Sequence, residues 1–199
     1  VIVARYELNP TKWCPCQRKT KGKGNSVGWI DVHTHLDGLK QTVEEALEQG
    51  RAAGLERFIT IGTEPADHSV VLEIAKKFYP EVVCTLGVHP HNASAFDSAV
   101  ETFMRQNLRA REVVAVGEIG LDYFYSNSEP EVQKQAFHAQ LVVADEMQMP
   151  VEIHTRDAEQ DTVEILNEFG GRIRGMLHCF TGTQWLAEKA RAAAAPDPA

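Results

Sequence analysis

The chain has 199 residues, a hydrophobic fraction of 43% and a formal charge of -8 at pH 7. That length is enough to bury one sizeable core. The acidic balance excludes a broad basic surface for gripping duplex DNA, so a phosphate-bearing substrate has to be held locally, by metal ions and a few cationic groups.

No apolar run in the sequence approaches the length that spans a bilayer. Val1-Ile2-Val3-Ala4 is too short for the apolar core of a signal peptide, and basic residues follow rather than precede it. Cys14, Cys16, Cys84 and Cys179 do not make a disulfide framework for a chain of this size. A reducing cytoplasm and no membrane partner are therefore expected.

Residues 1–28 differ from the rest. Arg5, Lys12, Arg18, Lys19, Lys21 and Lys23 are opposed only by Glu7, and Thr20–Ser26 reads as a flexible linker. Cys14-Pro15-Cys16 has no second Cys/His pair nearby to complete a zinc knuckle. The expectation is a basic, poorly ordered extension over 1–28, followed by one domain over 29–199.

From Trp29 a regular alternation begins. The pattern predicts strands at Ile30–His33, Phe58–Ile61, Val82–Leu86, Val113–Val116, Val151–Ile153 and Arg174–Leu177. Helices are predicted at Gln41–Ala53, Ala66–Phe78, near Asp97–Asn107, at Pro130–Met147, Ala158–Glu168 and Gln184–Ala195. Gly117–Leu121 reads as a turn after the fourth strand. Glu129-Pro130-Glu131 supplies the proline and acids that suit a helix start. Strands alternating with helices point to a parallel sheet with helical crossovers.

The residues able to carry chemistry gather where strands end. His33 and His35 flank Thr34; side chains two apart on a strand share a face, so two imidazoles can stand side by side. Glu118, His154 and His178 follow the fourth, fifth and sixth strands. Each histidine alone reads as an ordinary polar strand end; together they suit a divalent ion such as zinc or manganese. Glu118, with two oxygens, can bridge two ions about 3.5–4 Å apart, the arrangement that activates water against a phosphodiester. His89, after the third strand, and Arg156, two residues past His154, are candidates for substrate phosphate. His68 and His138 fall in predicted helices and read as exposed structural residues. His91 reads as a loop residue, and Cys179 as a buried thiol.

Residues 29–190 resemble the TatD family of metal-dependent hydrolases. The resemblance rests on five ordered stretches: Asp31–Asp37, Gly87–Pro90, Gly117–Tyr123, Pro150–Ala158 and His178–Gly182. It implies a (β/α)8 barrel of the metal-dependent hydrolase kind. It further implies a deoxyribonuclease acting on DNA ends or single-stranded DNA by metal-activated water. Two divalent ions (zinc, manganese or magnesium) are implied, one on His33 and His35, the other on His154 and His178, with Glu118 bridging as the catalytic carboxylate. Some members are D-aminoacyl-tRNA deacylases on the same centre. Family members continue for roughly two more βα units, with a further ligand aspartate in a Thr-Asp stretch. About six units are legible here, so an incomplete barrel is expected, and a catalytically impaired fragment is a further alternative.

Overall fold

The computed structural model describes residues 29–125 and 127–194; the basic extension expected over 1–28 and the final Pro196–Ala199 lie outside them. Six strands alternate with six helices: β1 Trp29–Thr34, α1 Val43–Ala52, β2 Leu55–Thr60, α2 His68–Phe78, β3 Val82–Leu86, α3 Ser98–Asn107, β4 Val113–Asp122, α4 Pro130–Met147, β5 Val151–Arg156, α5 Glu159–Asn167, β6 Gly175–Leu177 and α6 Gln184–Ala193. Short 3-10 turns occupy Leu36–Gly38 and Pro90–Ala95.

All strands pair in parallel, in sequence order from β1 to β6. The sheet is strongly curled. His33, at the end of β1, stacks its ring on that of His178, just past β6, with centroids 4.1 Å apart. Six strands curled in this way, with helical crossovers, are part of a (β/α) barrel left incomplete. Among the described residues no helix is long and apolar enough to cross a membrane.

Local chemistry sets the element boundaries. Thr42 and Glu45 form a reciprocal capping box at the start of α1. The Asp97 side chain accepts from the backbone N–H groups of Ala99 and Val100 at the start of α3. Pro130 opens α4, where a missing N–H costs nothing. On α4, Phe137, Leu141 and Ala144 follow helical spacing and are fully buried. They pack in one core with Leu86, Val116, Ile119 and Leu121 of the central strands.

Two buried glutamines on α4 fix the loops above that core. Gln140 accepts from the Val88 N–H at 2.7 Å and donates to the Val88 carbonyl at 3.1 Å. Gln133 accepts from the Asp122 N–H at 2.8 Å and donates to the Asp122 carbonyl at 2.9 Å. Each carboxamide thereby holds one chain segment that leads directly into the site.

Four readings from sequence are corrected. Gly117–Leu121 is no turn; it is the continuation of β4, so Glu118 lies within a strand rather than beyond it. The glycines that suggested a turn serve close packing instead. Gly120 has φ +137°, and a Cβ there would lie 1.9 Å from the His154 carbonyl oxygen on β5. His68 is not exposed: it is buried, with Nε2 2.8 Å from the Gly87 carbonyl oxygen. Cys179 is exposed rather than buried, because β6 ends at Leu177 and strand alternation no longer governs it; its φ is +40°. His138 is half-buried on α4 rather than fully exposed, with its ring 5.4 Å from that of Phe169 and Nε2 3.2 Å from Glu168 Oε2.

Candidate metal centre

Glu118 is the middle of the cluster and is only 3% exposed. Its two oxygens face different histidines. Oε2 lies 3.7 Å from His33 Nε2, and His33 Nε2 is 3.2 Å from His35 Nε2. Oε1 lies 2.5 Å from His178 Nε2, 3.1 Å from His154 Nδ1 and 3.5 Å from His89 Nε2. Strand order and curl explain the convergence: β4 supplies Glu118 and β5 supplies His154, while β1 and β6 bring His33, His35 and His178 from either side. All five ligand candidates read from the strand ends are thus brought together.

A second ring of groups holds these imidazoles by their far nitrogens. His33 Nδ1 is 2.5 Å from Glu152 Oε1, a contact that crosses the interior from β1 to β5. His154 Nε2 is 2.9 Å from Asp122 Oδ2, and the same oxygen is 3.0 Å from His91 Nε2. A carboxylate that accepts one ring N–H leaves the other nitrogen's lone pair for the site. The backbone N–H of His91 donates to His89 Nδ1 at 3.1 Å, so a neutral His89 carries its proton on Nε2, facing Glu118.

The ionisation of the cluster follows its geometry. Burial alone would raise the Glu118 carboxyl, but the imidazoles of His154, His178 and His89 outweigh it and hold the group well below the usual carboxylate range. Burial opposes charging of His33 and His154 as well; Glu152 and Glu118 for the first, and Glu118 and Asp122 for the second, raise both. His89, with burial dominant, is lowered to about 4. Burial raises Glu152, partly offset by His33.

Three sets of donor atoms each lie within 4.8 Å of one another: His33, Glu152 and His178; His33, His35 and Glu118; His89, Glu118 and His154. Both ring nitrogens of His178 are buried without a hydrogen bond among the described residues, although Nε2 points closely at Glu118. A buried ring nitrogen without a partner, as His178 Nδ1 is among the described residues, is costly in a purely structural role, and nitrogen-rich donors around a carboxylate suit zinc or manganese. The residues present therefore fit a divalent ion.

Arg156 closes β5 and lies with its guanidinium carbon 3.9 Å from the Phe124 ring centroid and 4.9 Å from that of Tyr125. No carboxylate pairs with it among the described residues.

Asp122, Glu152 and His91 are site residues that sequence reasoning missed. A signal existed for the first two. Glu152 precedes His154 by two on one strand, and Asp122 follows Glu118 by four, so each shares a face with a candidate ligand. His91 carried no such pattern, since its 3-10 turn has no period that points it inward.

Comparisons with known proteins agree with this architecture. A model of the family described as TatD related DNase matches residues 30–194. An uncharacterized metal-dependent hydrolase, YabD, of Bacillus subtilis is 34% identical over 80% of this chain and 64% of its own length. A relative from Escherichia fergusonii named 3'-5' ssDNA/RNA exonuclease TatD is 37% identical over 78% of this chain and 60% of its own. The crystal structure of YJJV, a TatD homologue from Escherichia coli, superposes with a TM-score of 0.75 at 30% identity, covering 83% of this chain and 65% of that one. The chain thus spans less than two thirds of the length of these relatives. With a family model matched over residues 30–194 and relatives more than 30% identical, the chain belongs to the TatD related DNase family.

Proposed function

We propose that this chain forms the metal-binding part of a hydrolase that cleaves phosphodiester bonds at the ends of single-stranded DNA. The observation that carries the reading is the division of Glu118, one oxygen toward His33 and His35, the other toward His154 and His178. The relatives named as ssDNA/RNA exonucleases support the substrate class.

In this reading His33, His35 and Glu118 would hold one divalent ion, and His154, His178 and Glu118 would hold a second. Bound ions of this kind polarise a phosphoryl oxygen, lower the pKa of water and steady a leaving oxygen. The chain's own residues set the frame. Glu152 fixes the tautomer and tilt of His33, and Asp122 does the same for His154. Glu118 stays ionised and offsets the positive charge gathered between the two histidine sets. His89, neutral and with its proton on Nε2, acts as a donor toward a phosphate oxygen. Arg156 supplies a fixed positive charge beside it.

The test combines elemental analysis of the purified chain with hydrolysis of a 5'-labelled single-stranded oligonucleotide. Zinc or manganese retained by the wild type, lost in His33→Ala and His154→Ala, and chelator-sensitive cleavage of the strand are expected. Hydrolysis of a D-aminoacyl-tRNA with no cleavage of DNA would replace this reading with an ester hydrolase on the same centre. A His33→Ala variant that keeps all its metal would remove the proposed ligand set.

A further inference from the structure

Asp122 joins the metal centre to a second feature. Its Oδ2 meets His154 and His91, while its Oδ1 accepts the backbone N–H groups of Phe124 and Tyr125, both at 3.0 Å. One buried carboxylate thereby fixes the backbone that carries a pair of aromatic side chains beside the candidate ligands. Phe124 and Tyr125 are 54% and 52% exposed as residues, with ring centroids 4.8 Å apart and planes at 84°. Tyr125 sets its ring edge-on to His91, at 5.4 Å between centroids. Arg156 lies over both rings. Large aromatic side chains left open to water on a rigid frame, next to a cation, match the chemistry of an unpaired nucleobase and its phosphate.

We propose that Phe124, Tyr125 and Arg156 form a subsite that stacks one base of a single-stranded nucleic acid at the mouth of the metal centre. The rings offer a π-face to the base, and the guanidinium reaches the adjoining phosphate. A duplex keeps its bases inside the stack, so the subsite selects single strands or frayed ends. Asp122 holds the backbone beneath both rings, and Arg156 and His91 pack against the rings themselves, so less ordering is needed when the strand arrives. The proposal rests on the nucleic-acid reading above, and deepens it by naming where sequence-independent affinity arises.

The test is fluorescence anisotropy with the purified chain and a phosphorothioate-linked oligothymidylate. The control strand has the same length and linkages but is built from abasic spacers. The wild type should bind the strand with bases about tenfold more tightly, the scale of one base–aromatic stack. Phe124→Ala and Tyr125→Ala should bring it toward the abasic strand, whereas Phe124→Trp and Tyr125→Phe should keep the preference. Unchanged metal content in all four variants shows that the centre still folds. Equal binding of the two strands by the wild type, no binding of either, or no loss in the alanine variants, overturns the subsite. Hydrolysis is measured separately. A base-dependent affinity without cleavage would sink the hydrolase reading and leave the subsite standing; cleavage without base dependence would do the reverse.

Discussion

Strand β3, in the middle of the sheet, is buried at all five of its residues. Strand β1, at one edge, leaves Trp29 72%, Ile30 44% and Val32 43% exposed, and β6 at the other edge has no fully buried residue. The candidate metal centre takes one share from each kind of strand. Glu118 and His154 come from neighbouring strands β4 and β5; α4 packs on β4, and its fully buried Phe137 and Leu141 share one core with residues of both strands. His33, His35 and His178 come from the ends of the two edge strands. The first share is held by packing on both faces. The second is held mainly by contacts inside the cluster, above all the Glu152 contact to His33 and the stacking of His33 on His178. The middle of the fold is therefore expected to be set by its core, and the edges by the site itself.

The largest effect should come from the middle. Phe137→Ala removes a fully buried ring from the main core. Transfer and cavity terms together predict a loss of about 3–5 kcal/mol. Urea denaturation with circular dichroism measures it. A loss below about 1 kcal/mol would mean that the central strands are not the stable part, and the contrast with the edges would fall.

Next comes the carboxylate that both shares face. Glu118→Gln keeps the size and removes the charge, so two cations would meet with less neutralisation. A rate loss of at least about a hundredfold is expected, the scale of one strong electrostatic stabiliser. Reduced zinc or manganese content should accompany it in elemental analysis. Activity within about threefold of wild type on single-stranded DNA would remove Glu118 from the bridge.

These expectations show what could be read from the residues. The six βα units were legible because each strand is a short apolar run between helices with one apolar face, and such periods survive into the fold. His33, His35, His154 and His178 were legible because they punctuate the ends of those runs. Glu118 was legible as a candidate, but its place within a strand was hidden by Gly117 and Gly120, which mark a turn in sequence and a close approach of β4 to β5 in space. Asp122 and Glu152 were harder. Alternation places each on a face with a candidate ligand, but their partners lie on other strands, 32 positions away for His154 and 119 for His33, and that pairing is not written in any local pattern. His68 was misread because a helix start gave no sign of which face meets β3.

Glu152→Gln tests whether an edge ligand depends on its tie to the middle. The amide keeps a hydrogen-bond acceptor for His33 but loses the charge that steadies the imidazole. Loss of such a supporting carboxylate typically weakens metal binding about 10–100-fold. Competition with a chromophoric chelator measures it, and Glu152→Ala should weaken binding further than Glu152→Gln. Unaltered affinity in both would show that β1 positions His33 without help from β5.

The smallest effect on stability belongs to the edge itself. Ile30 and Val32 share one face of β1, opposite the face that carries His33, and both are partly open to water. Among the described residues β1 pairs only with β2, so its other side has no strand partner there, although the His33 N–H donates to the Asp31 carboxylate. Such an edge is a template for strands of another molecule. The chain should therefore associate as its concentration rises, seen by light scattering behind size exclusion. Ile30→Lys puts a charge on that edge while removing little buried area, so stability should change by no more than about 0.5 kcal/mol. Its association should nevertheless fall. If Ile30→Lys associates as readily as the wild type, the contact lies elsewhere. If it also loses several kcal/mol, β1 is packed more tightly than its exposure indicates, and the distinction between edge and middle is weaker than drawn.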